Sequence, residues 1–217
     1  LSLVSDLRVA VATSQLQMWL QPKFSLKTGR AVGAEALVRW QHPTRGFVSP
    51  AEFVPFAERT GYISMVTTWM LGQAMRTLAD WAPSHPELSI AVNMSTRDLL
   101  DPKFCDRVKQ LIDQHGVNPH CLRLEIVESG LMDDPQTSVA VLHALRALGI
   151  QLSIDDFGTG YSSLAYLQKL PVSELKIDRS FVDGVDGLPG TQRLVKTMIE
   201  MGHGMGLMVT AEGVETE

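Results

Sequence analysis

Long apolar runs are missing from this sequence. No stretch approaches the roughly 18–20 apolar residues of a membrane-spanning helix, so no such span is predicted. The N-terminus, Leu-Ser-Leu-Val-Ser-Asp, has neither a basic region nor a long apolar core, and a signal peptide is not expected. Cysteine is scarce. Cys105 and Cys121 are the only two and lack CxxC spacing, which predicts free thiols in a reducing, cytoplasmic compartment. The chain opens on Leu1 rather than Met, so it is expected to be cut from a longer parent, which can itself be membrane-anchored. Basic excess is missing too. A formal charge of −5 implies no surface for phosphate backbones and argues against general nucleic-acid binding, though not against one small anion held through metal ions. The six histidines show no HxxxH or similar spacing, which disfavours zinc. Repeats, low-complexity tracts and linker-like composition shifts are also absent, so residues 1–217 are read as one domain with 1–14 as a lead-in helix. The 45% apolar and 20% charged content is ordinary for a globular chain.

What is present is a regular alternation. Residues 17–26 and 31–40 read as strands joined by the turn Lys27-Thr-Gly-Arg30, an antiparallel hairpin. Ser49-Pro-Ala-Glu52 reads as a capping box opening a helix that ends near Gly61. Ile63, Val66, Met70, Ala74, Leu78 and Trp81 recur at helical spacing. Strands at 88–92, 122–127, 150–154, 175–177 and 207–211 then alternate with helices at 99–115, 137–148, 163–170 and 191–201. Short apolar strands between helices predict a parallel sheet covered by helices. Seven strands are counted, against the eight strands and about 250 residues of a closed (β/α)8 barrel. An open doubly wound sheet stays possible on pattern alone.

Acidic and amide residues fall at or near the strand ends: Asn93, Glu125, Asp155 with Asp156, and Glu212, with Lys176 and Asp178 on another strand. Glu35 lies inside the apolar strand Gly33-Ala-Glu-Ala-Leu-Val-Arg39. Adjacent carboxylates at Asp155 and Asp156 repel each other, and either solvent or a cation must hold them there. In a parallel barrel the C-terminal strand ends converge on one mouth. Carboxylates and an amide oxygen are hard ligands suited to Mg²⁺ or Mn²⁺. Two such ions typically serve in-line phosphoryl displacement. Any single strand-end acid is more often a helix cap or a solvated loop residue. Lys176 has an equally ordinary reading as an ion-pair partner, and Glu128 reads as structural. The coincidence over five strands carries the argument. Asp156-Phe-Gly158 matches the metal-binding triplet of protein kinases, but the catalytic loop and glycine-rich loop are absent. Gly158-Thr-Gly160 starts like a dinucleotide fingerprint, but Ser163 stands at its third glycine.

The ordered set Gln21-Pro22, Glu35-Ala-Leu37, Val92-Asn-Met-Ser95, Leu124-Glu-Ile-Val-Glu-Ser129, Asp155 to Leu164, Leu175-Lys-Ile-Asp178 and Ala211-Glu-Gly-Val-Glu215 resembles the EAL domain family, the bacterial cyclic di-GMP phosphodiesterases. It spans nearly the whole chain. The resemblance implies an α/β fold, a TIM-like (β/α)8 barrel whose first strand is antiparallel. The family's final strand and helix, with a glutamine near the attacking water, are then missing from this chain. It implies hydrolysis of cyclic di-GMP to the linear dinucleotide pGpG. It implies two Mg²⁺ or Mn²⁺ ions at Glu35, Asn93, Glu125, Asp155, Asp156 and Glu212, with Lys176 orienting the attacking water or accepting its proton. Gln21, Leu37 and Arg39 fall where the family contacts substrate. Glu128 would anchor a loop after Asp156 that mediates homodimerisation in many members. Sensory or other signalling domains are expected in the parent. Val127 departs from the family's frequent Thr. A non-catalytic receptor that binds cyclic di-GMP is the alternative reading, and the intact acid set weighs against it.

Overall fold

Two-residue alternation organises the sheet. In β5 (Leu122–Val127), Leu122, Leu124 and Ile126 take one face and Arg123 and Glu125 the other, and all five are buried. β6 (Gln151–Phe157) repeats this with Leu152 and Ile154 against Ser153 and Asp155, and β7 (Glu174–Ile177) with Leu175 and Ile177 against Glu174 and Lys176. Burial on both faces means that one face lies under helices while the polar face lies inside a curled sheet. The computed structural model describes residues 3–13, 15–132, 134–159 and 164–214.

β1 (Leu16–Phe24) and β2 (Ala31–His42) form the antiparallel hairpin, pairing Gln21 with Glu35 and Lys23 with Gly33. β2 then pairs in parallel with β4 (Ser89–Met94), and the path continues through β5, β6 and β7 to β8 (Met208–Ala211). The strand order follows the chain without reversal. A doubly wound sheet reverses at a switch point, so that alternative falls. Lys23 of β1 reaches Glu174 of β7 at 3.3 Å. In a flat sheet five strand spacings would part those strands by about 24 Å. The sheet therefore curls nearly back on itself, open between β1 and β8 among the described residues.

Helices coat the outside: α1 (Leu3–Ala12), α2 (Pro50–Thr60), α3 (Ile63–Trp81), α5 (Phe104–His115), α6 (Pro135–Ala147) and α9 (Pro189–Gly204). α3 buries Met70, Leu71, Ala74, Met75 and Leu78, one face at helical spacing. Trp40 of β2 meets Phe53 of α2 edge-on, with centroids 5.4 Å apart. Both rings are fully buried, where truncation of either typically costs about 3–5 kcal/mol. No helix of the described residues is long and apolar enough to cross a membrane. Cys105 and Cys121 are free thiols.

Several local expectations need correction. α2 begins at Pro50 as expected, but Ser49 makes no side-chain cap bond; its carbonyl accepts from the Glu52 and Phe53 amides instead. The capping box that forms is Ser95 with Asp98, opening α4 (Thr96–Leu99). The helix expected over 99–115 is thus α4 and α5 with a break between them. Pro102 follows Asp101 there and cannot donate a backbone bond. Asp101 turns outward to the Lys103 amide and to Arg107 at 2.6 Å. A strand β3 (Gly46–Val48) was not expected; it pairs only with the end of β2. The helix expected at 163–170 is a single turn, α7 (Leu164–Leu167), and its predicted start at Ser163 lies outside the described residues. The strand expected to end at Ile154 continues to Phe157.

Candidate metal centre

The polar face of the curled sheet gathers the acids. β2 supplies Glu35, β5 Glu125 and β6 Asp155, and these three present oxygens within 4.8 Å of one another. Asp155, Asp156 and Glu212 form a second group by the same measure. The groups share Asp155.

Asp155 and Asp156 are sequence neighbours, and in a regular strand their side chains would point to opposite faces. The backbone solves this with an irregularity. The β6–β7 register shifts between Ile154 and Phe157, and Asp156 sits at φ 53°, the one described non-glycine residue with positive φ. Aspartate tolerates that left-handed conformation better than most residues. The same twist turns the Asp156 amide onto the Asp155 Oδ1 at 3.0 Å. Gly158 follows at φ 98°, where an added Cβ would strike Met198 and Phe181.

Lys176 of β7 stands in the middle of the acids. Its Nζ lies 3.0 Å from Glu35, 2.8 Å from Glu125, 3.0 Å from Asp155 and 2.6 Å from Glu212. Burial alone would lower the Lys176 pKa, but Glu125, Glu35, Asp155 and Glu212 outweigh it and hold the ammonium well above its ordinary value. Burial drives the Glu125 carboxyl up to about 7, with Lys176 opposing and Glu35 reinforcing the rise. Burial likewise raises Asp156, helped by Asp155 and Asp178. Glu212 rises through burial against the pull of Lys176. One ammonium thus sits among five carboxylates and does not neutralise them. It also acts as a stand-in cation, since the oxygens converge on a positive charge. The donor set is all oxygen, in two groups bridged by one carboxylate, and fits a pair of hard divalent ions.

The other residues singled out from the sequence take distinct places. Asn93 is exposed and donates to the Glu35 Oε1 at 3.0 Å. Gln21 pairs with Glu35 across the hairpin, and opposite residues of an antiparallel pair share a face. Leu37 and Arg39 continue the Glu35 face along β2. The Arg39 guanidinium lies 5.4 Å above the Trp19 ring. Glu128 is buried and accepts from the Gly158 amide at 3.0 Å. Gly160 to Ser163, the remainder of that turn, lie outside the described residues, as does Glu215 of the last motif. Asp178 is not drawn into the acid groups; it caps α8 (Arg179–Val182) through the Ser180 amide. Val127 ends β5 opposite Asp155.

Sequence reasoning missed a second tier below these acids. Lys23 bridges Glu125 at 3.2 Å and Glu174 at 3.3 Å, and Arg123 holds Glu174 at 2.7 Å. Thr210 also donates to Glu174. Burial pushes the Glu174 carboxyl upward, but Lys23 and Arg123 prevail and hold it below the usual range. The available signal was period two: Arg123 precedes Glu125, and Glu174 precedes Lys176, by one inward step.

Known proteins resemble this chain in sequence and fold. The sequence model of the EAL domain matches residues 4–217. The bifunctional diguanylate cyclase/cyclic di-GMP phosphodiesterase MucR of Pseudomonas aeruginosa is 41% identical over 218 residues, covering 100% of this chain and 32% of its own length. The cyclic di-GMP phosphodiesterase NbdA of the same organism is 40% identical over 217 residues, covering 100% and 28%. The chain therefore spans about a third of the length of these curated relatives. A solved structure of the PaMucR phosphodiesterase in its c-di-GMP complex superposes with a TM-score of 0.94 at 41% identity, over 100% of this chain and 88% of that one. The curled α/β sheet with its antiparallel first strand is accordingly the TIM-like barrel of those domains. On sequence, fold and the order of its motifs, this chain belongs to the EAL domain family.

Proposed function

We propose that this chain hydrolyses cyclic di-GMP to the linear dinucleotide pGpG in second-messenger signalling. The observation that carries the reading is the pair of carboxylate groups bridged by Asp155 at the mouth of the sheet. The proteins MucR and NbdA, whose names record cyclic di-GMP phosphodiesterase activity, support the substrate.

In this reading Glu35, Asn93, Glu125, Asp155, Asp156 and Glu212 hold two Mg²⁺ or Mn²⁺ ions. Such ions, when bound, neutralise phosphate oxygens and acidify an attacking water. Glu35 and Glu125 fix one side of the centre, and Asp156 and Glu212 the other. Lys176 is a long, flexible cation already within 3.0 Å of four of these acids. Held as an ammonium by these acids, it orients the attacking water. The Arg39 guanidinium donates one N–H to the Val38 carbonyl at 2.9 Å and offers its remaining N–H groups to the phosphate that does not react. Its perch over Trp19, with Gln21 and Leu37 on the same face, lines the ring's approach. Glu128 anchors the segment after Asp156 through Gly158 and so couples the acids to a homodimer partner. The domain works in the cytoplasm beneath sensory or signalling domains of its parent.

The test is incubation of the parent protein with cyclic di-GMP and Mg²⁺ or Mn²⁺, followed by chromatography. The linear product is expected. Tight calorimetric binding of cyclic di-GMP without product, in the presence of bound metal, would establish a receptor instead.

A further inference from the structure

The acids at the mouth rest on the lower tier, and one side chain joins the two. Glu125 is completely buried, and its described polar contacts are two ammonium groups. Lys176 takes the Oε2 and Lys23 the Oε1. Lys23 comes from β1, the antiparallel strand, and crosses the barrel interior to reach β5 and β7. It is held from below by Glu174, which is itself fixed by Arg123 and Thr210. The chain of contacts Arg123–Glu174–Lys23–Glu125 leaves the Glu125 Oε2 as the oxygen directed at the acid groups.

We propose that Lys23 is a positioning residue for the metal centre: it holds the Glu125 Oε1 from beneath, so that the Oε2 faces the cations. The inference rests on the metal-dependent reading above. Two effects of opposite sign meet at Lys23. A nearby ammonium repels a cation, so its removal could tighten metal binding. Without it, Glu125 would keep a buried oxygen with no partner and lose its fixed rotamer. Partners that orient metal ligands from behind typically contribute about 10–100-fold in metal affinity. The geometry favours positioning, because Lys23 sits on the Glu125 oxygen turned away from Lys176 and is itself pinned by Glu174.

The experiment measures Mn²⁺ affinity of the parent protein by calorimetry and by electron paramagnetic resonance, for wild type, Lys23→Met, Lys23→Arg and Glu174→Gln. Expected are a loss of at least about tenfold in Lys23→Met, recovery of most of it in Lys23→Arg, and a smaller loss in Glu174→Gln. At saturating Mn²⁺ the KM for cyclic di-GMP should be unchanged in Lys23→Met, which separates metal positioning from general damage. Equal or tighter Mn²⁺ binding by Lys23→Met overturns the proposal. If that variant does not fold, unchanged affinity in Glu174→Gln overturns it. Failure of the wild type to bind Mn²⁺ at all would instead remove the metal-dependent reading itself.

Discussion

Glu125 and Glu174 make an instructive pair. Both are inward-facing glutamates on parallel strands, and both are buried to within a few per cent. Burial pushes each carboxyl upward, yet Glu125 ends at about 7 while Glu174 ends below its ordinary 4.5. The difference lies in their neighbours. Glu174 has Lys23 and Arg123 beside it and no second acid within bonding distance among the described contacts. Glu125 shares Lys176 with Glu35 and Asp155, and both of those acids push its carboxyl further up. The lower tier is balanced and structural, whereas the upper tier carries negative charge that its own chain does not neutralise. Excess charge of this kind is where a protein binds cations instead of simply cohering.

The comparison can be broken most sharply at Asp155, which belongs to both acid groups. Asp155→Asn should reduce turnover of cyclic di-GMP by at least about a thousandfold, roughly 4 kcal/mol of barrier; near-normal rates would remove the two-cation argument. The lower tier should respond through stability instead. Arg123→Met breaks a buried pair and is expected to destabilise the protein by about 3 kcal/mol in urea unfolding. Its effect on activity at saturating Mn²⁺ should be minor. A smaller loss of turnover, about tenfold, is expected for Glu128→Ala, which cuts the bond to Gly158 without touching the acids. Unchanged activity and dimerisation in that variant would detach the loop from the site.

The two glutamates also predict opposite pH limbs for the metal-free protein. The lowered Glu174 contributes stability that is present above 4.5 and lost as pH falls below it. The raised Glu125 binds its proton more tightly folded than unfolded, so stability falls as pH climbs from 4.5 towards 7 and levels off above. Mn²⁺ requires the ionised carboxylate, so its affinity should rise through the same window with proton release. Calorimetry in buffers of differing ionisation enthalpy reads that proton. The smallest stability effect belongs to Asp156→Asn. It removes a carboxyl that burial and Asp155 disfavour, and should raise the metal-free melting temperature slightly while lowering Mn²⁺ affinity.

Much of this was legible in the sequence, for physical reasons that can be named. Asp155-Asp156 at the end of an apolar strand and Glu35 within one are costly placements, and costly placements advertise themselves. The hairpin announced itself through Lys27-Thr-Gly-Arg30. The lower tier stayed hidden because Lys23, Arg123 and Glu174 are unremarkable residues until curvature brings β1 against β5 and β7. The conformation of Asp156 was also invisible: nothing in Ile-Asp-Asp-Phe states which aspartate leaves the regular strand. At Ser49 and Ser95 the capping signal was read at the wrong serine. Ser49 precedes the helix without a side-chain cap bond, and the Ser95 box uses aspartate where glutamate is the more familiar partner.

The account turns on whether the upper tier, and not the lower, takes up cations. Mn²⁺ titration of the wild type and of Asp155→Asn, followed by electron paramagnetic resonance, measures this directly. The account predicts two ions per chain in the wild type and loss of both from the tight-binding range in Asp155→Asn. Undiminished Mn²⁺ binding by Asp155→Asn would contradict it.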